Sequence, residues 1–161
     1  MKLLYVCLLA AALPAGPVHA AQTAKPSAEK PATGKARTIE LVGNETMKFD
    51  KAEITARPGE TIRIVLKSVG SMPKAVMAHN FVLLKDGADA VEFNKASFNA
   101  RATDFIAPEK KAEVIANTGL AGAGETVEVT FKAPAKAGSY NFICSFPGHF
   151  AMGMRGKLIV K

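Results

Sequence analysis

The dominant pattern along the chain is an alternation of period two. In Thr61-Ile62-Arg63-Ile64-Val65-Leu66-Lys67, Ile62, Ile64 and Leu66 share one face while Arg63 and Lys67 share the other, as a strand with one face on a core and one in water requires. Val127, Val129 and Phe131 alternate with Glu128 and Thr130 in the same way. Further strand candidates lie at 37–42, 47–49, 52–55, 80–85, 112–116, 139–144 and 157–160. Turn signals at Arg57-Pro58-Gly59-Glu60, Ala121-Gly122-Ala123-Gly124 and Ala135-Lys136-Ala137-Gly138 separate them. Only residues 89–102 carry a helical phase, with Val91, Phe93 and Phe98 as its apolar members. Many short strands with Gly and Pro turns predict an all-β fold, an antiparallel β-sandwich of about eight strands with one short helical insertion.

Two N-terminal segments stand outside this pattern. Residues 1–20 combine Lys2, an apolar run over 3–13 and the small-residue site Val18-His19-Ala20, the three parts of a secretory signal peptide cleaved after Ala20. The run is too short to span a bilayer, which takes about 20 residues, so the mature protein is expected to be exported and periplasmic. Residues 21–36 contain Pro26 and Pro31 but no large apolar side chain, the composition of a disordered Ala/Pro/Lys-rich linker. Residues 37–161 then form one domain, consistent with a chain of 161 residues that is 48% apolar and 22% charged. The net charge of +7 falls to +6 once Lys2 is removed. Its basic residues are dispersed and accompany no recognition motif, so nucleic-acid binding has no support.

Removing residues 1–20 also takes away Cys7 and His19. The mature chain keeps one cysteine, Cys144, and two histidines, His79 and His149. A single cysteine forbids an intramolecular disulfide in a compartment that would permit one. Cys144 and His149 belong to Cys144-Ser145-Phe146-Pro147-Gly148-His149-Phe150-Ala151-Met152-Gly153-Met154, a Cys-x4-His-x4-Met pattern between two strands, and His79 stands at the mouth of another strand. One thiolate, two imidazoles and a thioether make the soft trigonal His2Cys set with a weak axial Met that favours copper and one-electron transfer. Thiolate and thioether stabilise Cu(I), imidazole tolerates both oxidation states, and a rigid frame keeps reorganisation small. A Cys-His nucleophilic pair lacks an orienting partner and a substrate pocket motif. Structural zinc would want four strong ligands, and only three are present.

These residues sit in longer stretches that resemble the azurin-type cupredoxins, small type 1 blue copper proteins: Val42-Gly43-Asn44-Glu45-Thr46-Met47-Lys48-Phe49, Met72-Pro73-Lys74-Ala75-Val76-Met77-Ala78-His79-Asn80, Val114-Ile115-Ala116-Asn117-Thr118, Gly122-Ala123-Gly124-Glu125 and Cys144-Ser145-Phe146-Pro147-Gly148-His149. The resemblance implies an eight-stranded Greek-key β-sandwich with a single copper ion held by His79, Cys144 and His149 and an axial methionine. Met152 and Met154 compete for the axial place. Aligning Met154-Arg155-Gly156 with the family's Met-Lys-Gly selects Met154, and the four-residue gap after His149 resembles that of auracyanins. Asn80 would brace the Cys144 loop by hydrogen bonds. Departures from the family are the missing N-terminal disulfide, Ala78 in place of a glycine, and Phe81 where many azurins carry tryptophan.

By the same resemblance, Met47, Met72, Met77, Ala78, Phe146, Pro147, Phe150 and Met152 would form an apolar rim around His149, the electron exit. Such a patch suits brief docking with redox proteins such as c-type cytochromes or copper/haem oxidoreductases, with Lys74 and Arg155 available to steer an acidic partner. The expected function is that of a monomeric periplasmic one-electron carrier and not an enzyme. Copper oxidase or nitrite reductase chemistry would need further histidines. The alternative function is copper storage or delivery, which would call for an exposed, exchangeable Cu(I) site.

Overall fold

The computed structural model describes residues 35–161; the expected signal peptide and all but the last two residues of the expected linker lie outside the described residues. The strands are β1 (Arg37–Asn44), β2 (Lys48–Phe49), β3 (Glu53–Ala56), β4 (Thr61–Val69), β5 (Val82–Leu84), β6 (Val114–Asn117), β7 (Thr126–Lys132), β8 (Gly138–Ile143) and β9 (Arg155–Val160). A helix α1 (Ala90–Ser97) and two 3-10 turns, Arg101–Thr103 and Pro108–Glu113, fill the connection between β5 and β6. One sheet has the order β2-β1-β4-β7 and the other β3-β9-β8-β5-β6. No helix among the described residues is long and apolar enough to cross a membrane.

Alternation places the core where the sequence predicts it. Ile39 and Leu41 of β1 and Ile62, Ile64 and Leu66 of β4 point inward, with Val127, Val129 and Phe131 of β7 beside them. They meet Ile54, Phe81, Leu83, Tyr140, Phe142 and Leu158 from the other sheet. On the watered face Lys67 pairs with Glu40 at 2.9 Å and Arg63 with Glu128, pairs worth little individually because solvent screens them.

The sandwich is not purely antiparallel: β1 runs parallel to β4, and β3 parallel to β9. The chain leaves β1, places β3 in the opposite sheet, then returns beside β1 as β4. Period-two alternation determines which face a strand buries but carries no information about a neighbour's direction. The ninth strand is the two-residue β2.

The helical segment is shorter than its sequence phase. Asp89 caps it, its carboxylate accepting the amides of Val91 at 2.8 Å and Glu92 at 3.2 Å, which satisfies two of the first-turn donors. Of the three expected apolar contacts only Phe93 is buried; Val91 is 46% exposed and Phe98 52%. Phe93 packs with Val82, Leu84, Ile106, Ile143 and Phe150 in a second small core. That layer covers the outer side of β5, which is therefore buried throughout.

Gly156 of β9 marks a close approach: a β-carbon there would lie 2.5 Å from the Ala52 carbonyl oxygen and collide with the Phe142 ring. Gly156→Ala is accordingly expected to destabilise the fold by about 1–3 kcal/mol through overpacking. Leu66→Ala, which empties a fully buried position, should cost about 2–5 kcal/mol. Denaturant unfolding midpoints check both.

Candidate metal centre

The ends of four strands meet at one pole of the sandwich: Gly43 is the last residue but one of β1, His79 lies just before β5, Cys144 follows β8, and Met154 precedes β9. His79 is held by a two-way bridge to Ala121, its amide donating to the Ala121 carbonyl at 2.9 Å and its carbonyl accepting from the Ala121 amide at 2.8 Å. Between Cys144 and Met154 the chain folds back on itself. The Cys144 amide donates to the Met154 carbonyl at 3.0 Å, the Met154 amide to the His149 carbonyl at 2.9 Å, and the His149 amide to the Phe146 carbonyl at 3.1 Å. Lys48 donates from its ammonium to the Met152 carbonyl, tying β2 to the same loop.

This frame gathers His79, Cys144 and His149, all buried, with one potential ligand atom of each within 4.8 Å of the others. His79 Nδ1 lies 3.2 Å from His149 Nδ1, and Cys144 Sγ lies 3.5 Å from His149 Nδ1. Neither Nδ1 finds a side-chain or backbone partner outside this cluster among the described residues, and His79 Nε2 is buried without any partner. Three lone-pair donors facing one another in an apolar setting are short of positive charge.

Their proton chemistry points the same way. Burial pushes the Cys144 thiol up to about 12, against the opposing pull of the Asn80 and Phe146 amides on its sulfur. Burial pushes His79 down to about 4, and His149 likewise, with the nearness of His79 adding to the effect on His149. The pocket thus keeps both imidazoles neutral, with lone pairs available, and leaves the thiol in need of a cation before it releases its proton. Such a donor set fits a soft transition-metal ion.

Met154 and Met152 part company here. Met154 is fully buried in a cluster with Ala78, Phe105, Cys144 and Phe146, whereas Met152 is 53% exposed. A β-carbon placed on Gly43 would lie 2.9 Å from both His79 Cδ2 and Met154 Cε, so this backbone closes the cluster from the β1 side. The sequence reading did not single Gly43 out. Its signal was an inward-phase glycine, following Ile39 and Leu41 at the end of an alternating strand.

Asn80 occupies the bracing position expected of it. Its Oδ1 accepts the Ser145 amide at 2.9 Å, and its Nδ2 donates to Ser145 Oγ at 2.9 Å and to the Asp104 carbonyl at 2.9 Å. Thr118, also missed in the sequence, accepts the Phe81 amide at 3.0 Å and so anchors the strand that carries His79. The expected rim divides. Met72 and Met152 are exposed, while Met47, Met77 and Pro147 are half-buried. Ala78, Phe146 and Phe150 are buried and serve as packing behind the rim. Lys74 is paired with Glu125 at 2.7 Å, and the Arg155 guanidinium lies over the Phe150 ring, 5.0 Å from its centroid.

The model of the family described as copper binding proteins, plastocyanin/azurin family, matches residues 37–161. The chain belongs to this family. It is 42% identical over 125 residues to auracyanin-A of Chloroflexus aurantiacus, covering 76% of this chain and 74% of that one. Azurin-1 of Alcaligenes xylosoxydans xylosoxydans is 37% identical over 124 residues, covering 75% of this chain and 95% of that protein. The solved structure of auracyanin A, a "blue" copper protein from Chloroflexus aurantiacus, superposes with a TM-score of 0.69 at 40% identity over 79% of this chain and 100% of that one. The fold is therefore that of a cupredoxin, and copper is its cofactor.

The histidine shifts generate a pH dependence. In the metal-free protein each imidazole binds its proton near pH 4 when folded and near 6.5 when unfolded, so the unfolded state takes up more protons between those values. Stability should be full above pH 6.5 and fall by about 2–5 kcal/mol in total as pH drops toward 4. Unfolding midpoints of the metal-free protein across that window check the sign; a flat profile would contradict it.

Proposed function

We propose that this protein is a periplasmic one-electron carrier in which His79, Cys144 and His149 would hold copper, with Met154 as a fourth, weaker ligand. The observation that carries this reading is the buried His-Cys-His cluster, assembled within a frame that needs no large rearrangement to receive an ion. Bound copper supplies a centre that cycles between Cu(II) and Cu(I).

The chain's own residues account for the rest. The Asn80 and Phe146 amides favour the thiolate form of Cys144. Asn80 fixes the start of the ligand loop through Ser145, and the Cys144–Met154 backbone bond fixes its end. Low conformational freedom in both oxidation states is what a fast carrier requires. Burial of Met154 against Cys144, with Met152 turned outward, favours Met154 as the fourth residue that would hold the ion.

Redox proteins such as c-type cytochromes or copper/haem oxidoreductases would dock at the rim beside His149, where Met72 (40%), Val76 (57%) and Met152 (53%) are exposed. A patch of this kind supports short-lived complexes. Export rests on the signal-peptide pattern in residues 1–20. No substrate bond is made or broken in this role, so the protein acts as a carrier and not as an enzyme. Copper storage or delivery is the weaker reading, because ligand atoms this deeply buried are poorly placed for handing on an ion.

Adding one equivalent of Cu(II) to the mature protein should produce an intense blue thiolate-to-copper band that Cys144→Ser abolishes. A colourless protein that takes up only Cu(I) would move storage or delivery to the front. In the same assay Met154→Leu should change the EPR spectrum and raise the reduction potential, whereas Met152→Leu should leave both in place. The reverse pattern would reassign the axial ligand.

A further inference from the structure

The connection between α1 and β6 contains a conformation that neither packing of α1 nor a glycine explains. Asp104 and Phe105 are consecutive non-glycine residues in the left-handed region, at φ 53° and 57°. That region costs an L-residue about 1–2 kcal/mol, and for a bulky side chain it is an outlier. Strain of this sort persists only where the surroundings over-determine it.

Here they do. The Phe105 amide donates to the Ala100 carbonyl at 2.9 Å and the Ile106 amide to the Thr103 carbonyl at 3.1 Å. Thr103 Oγ1 donates to the Ile106 carbonyl at 2.7 Å. From the opposite side, Asn80 Nδ2 donates to the Asp104 carbonyl at 2.9 Å while also donating to Ser145 Oγ. The corner is therefore tied to the residue that follows His79 and to the residue that follows Cys144.

What the corner accomplishes is the placement of one ring. Phe105, 6% exposed, joins neither the main core nor the layer beneath α1 but packs with Ala78, Cys144, Phe146 and Met154. It meets Phe146 edge-on, with centroids 5.0 Å apart at 68°, and Phe146 in turn lies against the His149 imidazole at 4.9 Å and 47°. Aromatic pairs in such geometries are directional as well as apolar. Reversing the sign of φ at residue 105 would swing its β-carbon, and with it the ring, away from Phe146.

We propose that Phe105 is a positioning residue for His149: the strained Asp104-Phe105 corner presses its ring on Phe146, which holds the His149 imidazole in one orientation and keeps water from it. The proposal rests on the copper reading above and says which part of the fold adjusts that centre. Loosening the contact admits water beside His149, and a more polar surrounding favours the more highly charged Cu(II) form. Phe105 therefore sets part of the balance between the two oxidation states without touching the ion.

The test uses the mature chain with Phe105→Leu, Phe105→Tyr and Asp104→Gly. In the metal-free protein, the NMR signals of the His149 ring should broaden or double in Phe105→Leu and stay single in Phe105→Tyr. In the copper-loaded protein, Phe105→Leu should shift relative affinity toward Cu(II) by about threefold to tenfold. The tenfold limit is a potential lower by about 59 mV for one electron. Phe105→Tyr should restore the wild-type value within twofold. Asp104→Gly removes strain while leaving the ring in place, so its Tm should rise with the potential unmoved. If Phe105→Leu lowers Tm but leaves both the His149 signals and the potential unchanged, Phe105 is only a core filler and the proposal fails. A fall in Tm for Asp104→Gly would overturn the strained corner. Because the His149 signals are read without metal, this outcome is separate from any failure to bind Cu(II).

Discussion

Everything at the functional pole follows from crowding three lone-pair donors into a place that water does not reach. Two imidazoles and a thiol within 4.8 Å of one another have no strong attraction for each other when neutral, and burial resists charging any of them. Left to themselves they would separate or turn toward solvent. They stay because His79 hangs from the approach to β5, and Cys144 and His149 from the β8–β9 loop, of a packed sandwich whose core is indifferent to their chemistry. The Ile, Leu and Phe contacts between the sheets thus stabilise an arrangement that the site could not stabilise alone.

Hydrogen bonds convert that packing into position. Asn80 spans from the His79 strand to both Ser145 and Asp104, and the Cys144–Met154 bond closes the loop that carries His149. Backbone amides make most of these contacts, so they are insensitive to which side chains occupy the loop. Without a disulfide among the described residues, the frame depends on non-covalent contacts throughout.

Much of this was legible in the order of residues. Alternation in 61–67 and 127–131 located two paired strands, one inner and one at the sheet edge, and the Cys-x4-His-x4-Met spacing with a distant histidine named the chemistry. What stayed hidden was relational. Nothing in the local pattern of β1 or β3 distinguishes a parallel neighbour from an antiparallel one, because only the path through the opposite sheet decides it. Val91 and Phe98 looked like core because helical phase counts apolar residues, whereas the helix has room for one large anchor, Phe93. Gly43 and the corner at 104–105 escaped notice because their importance lies in backbone proximity and dihedral angle, which composition does not record. Between two methionines spaced two apart, the Met154-Arg155-Gly156 pattern already favoured Met154, and what the sequence could not record is that Met154 is buried while Met152 is exposed.

The aromatic content of the core has its own meaning for a redox protein. Phe49, Phe142, Phe81 and Phe131 form a connected row of rings, neighbours 5.3 to 6.3 Å apart, through the middle of the sandwich. The sequence has no tryptophan, and Tyr140 spends its hydroxyl on the Lys136 carbonyl. Benzene rings without a heteroatom are far harder to oxidise than indole or phenol. The sandwich interior therefore offers an oxidising equivalent no stepping stone among these four rings.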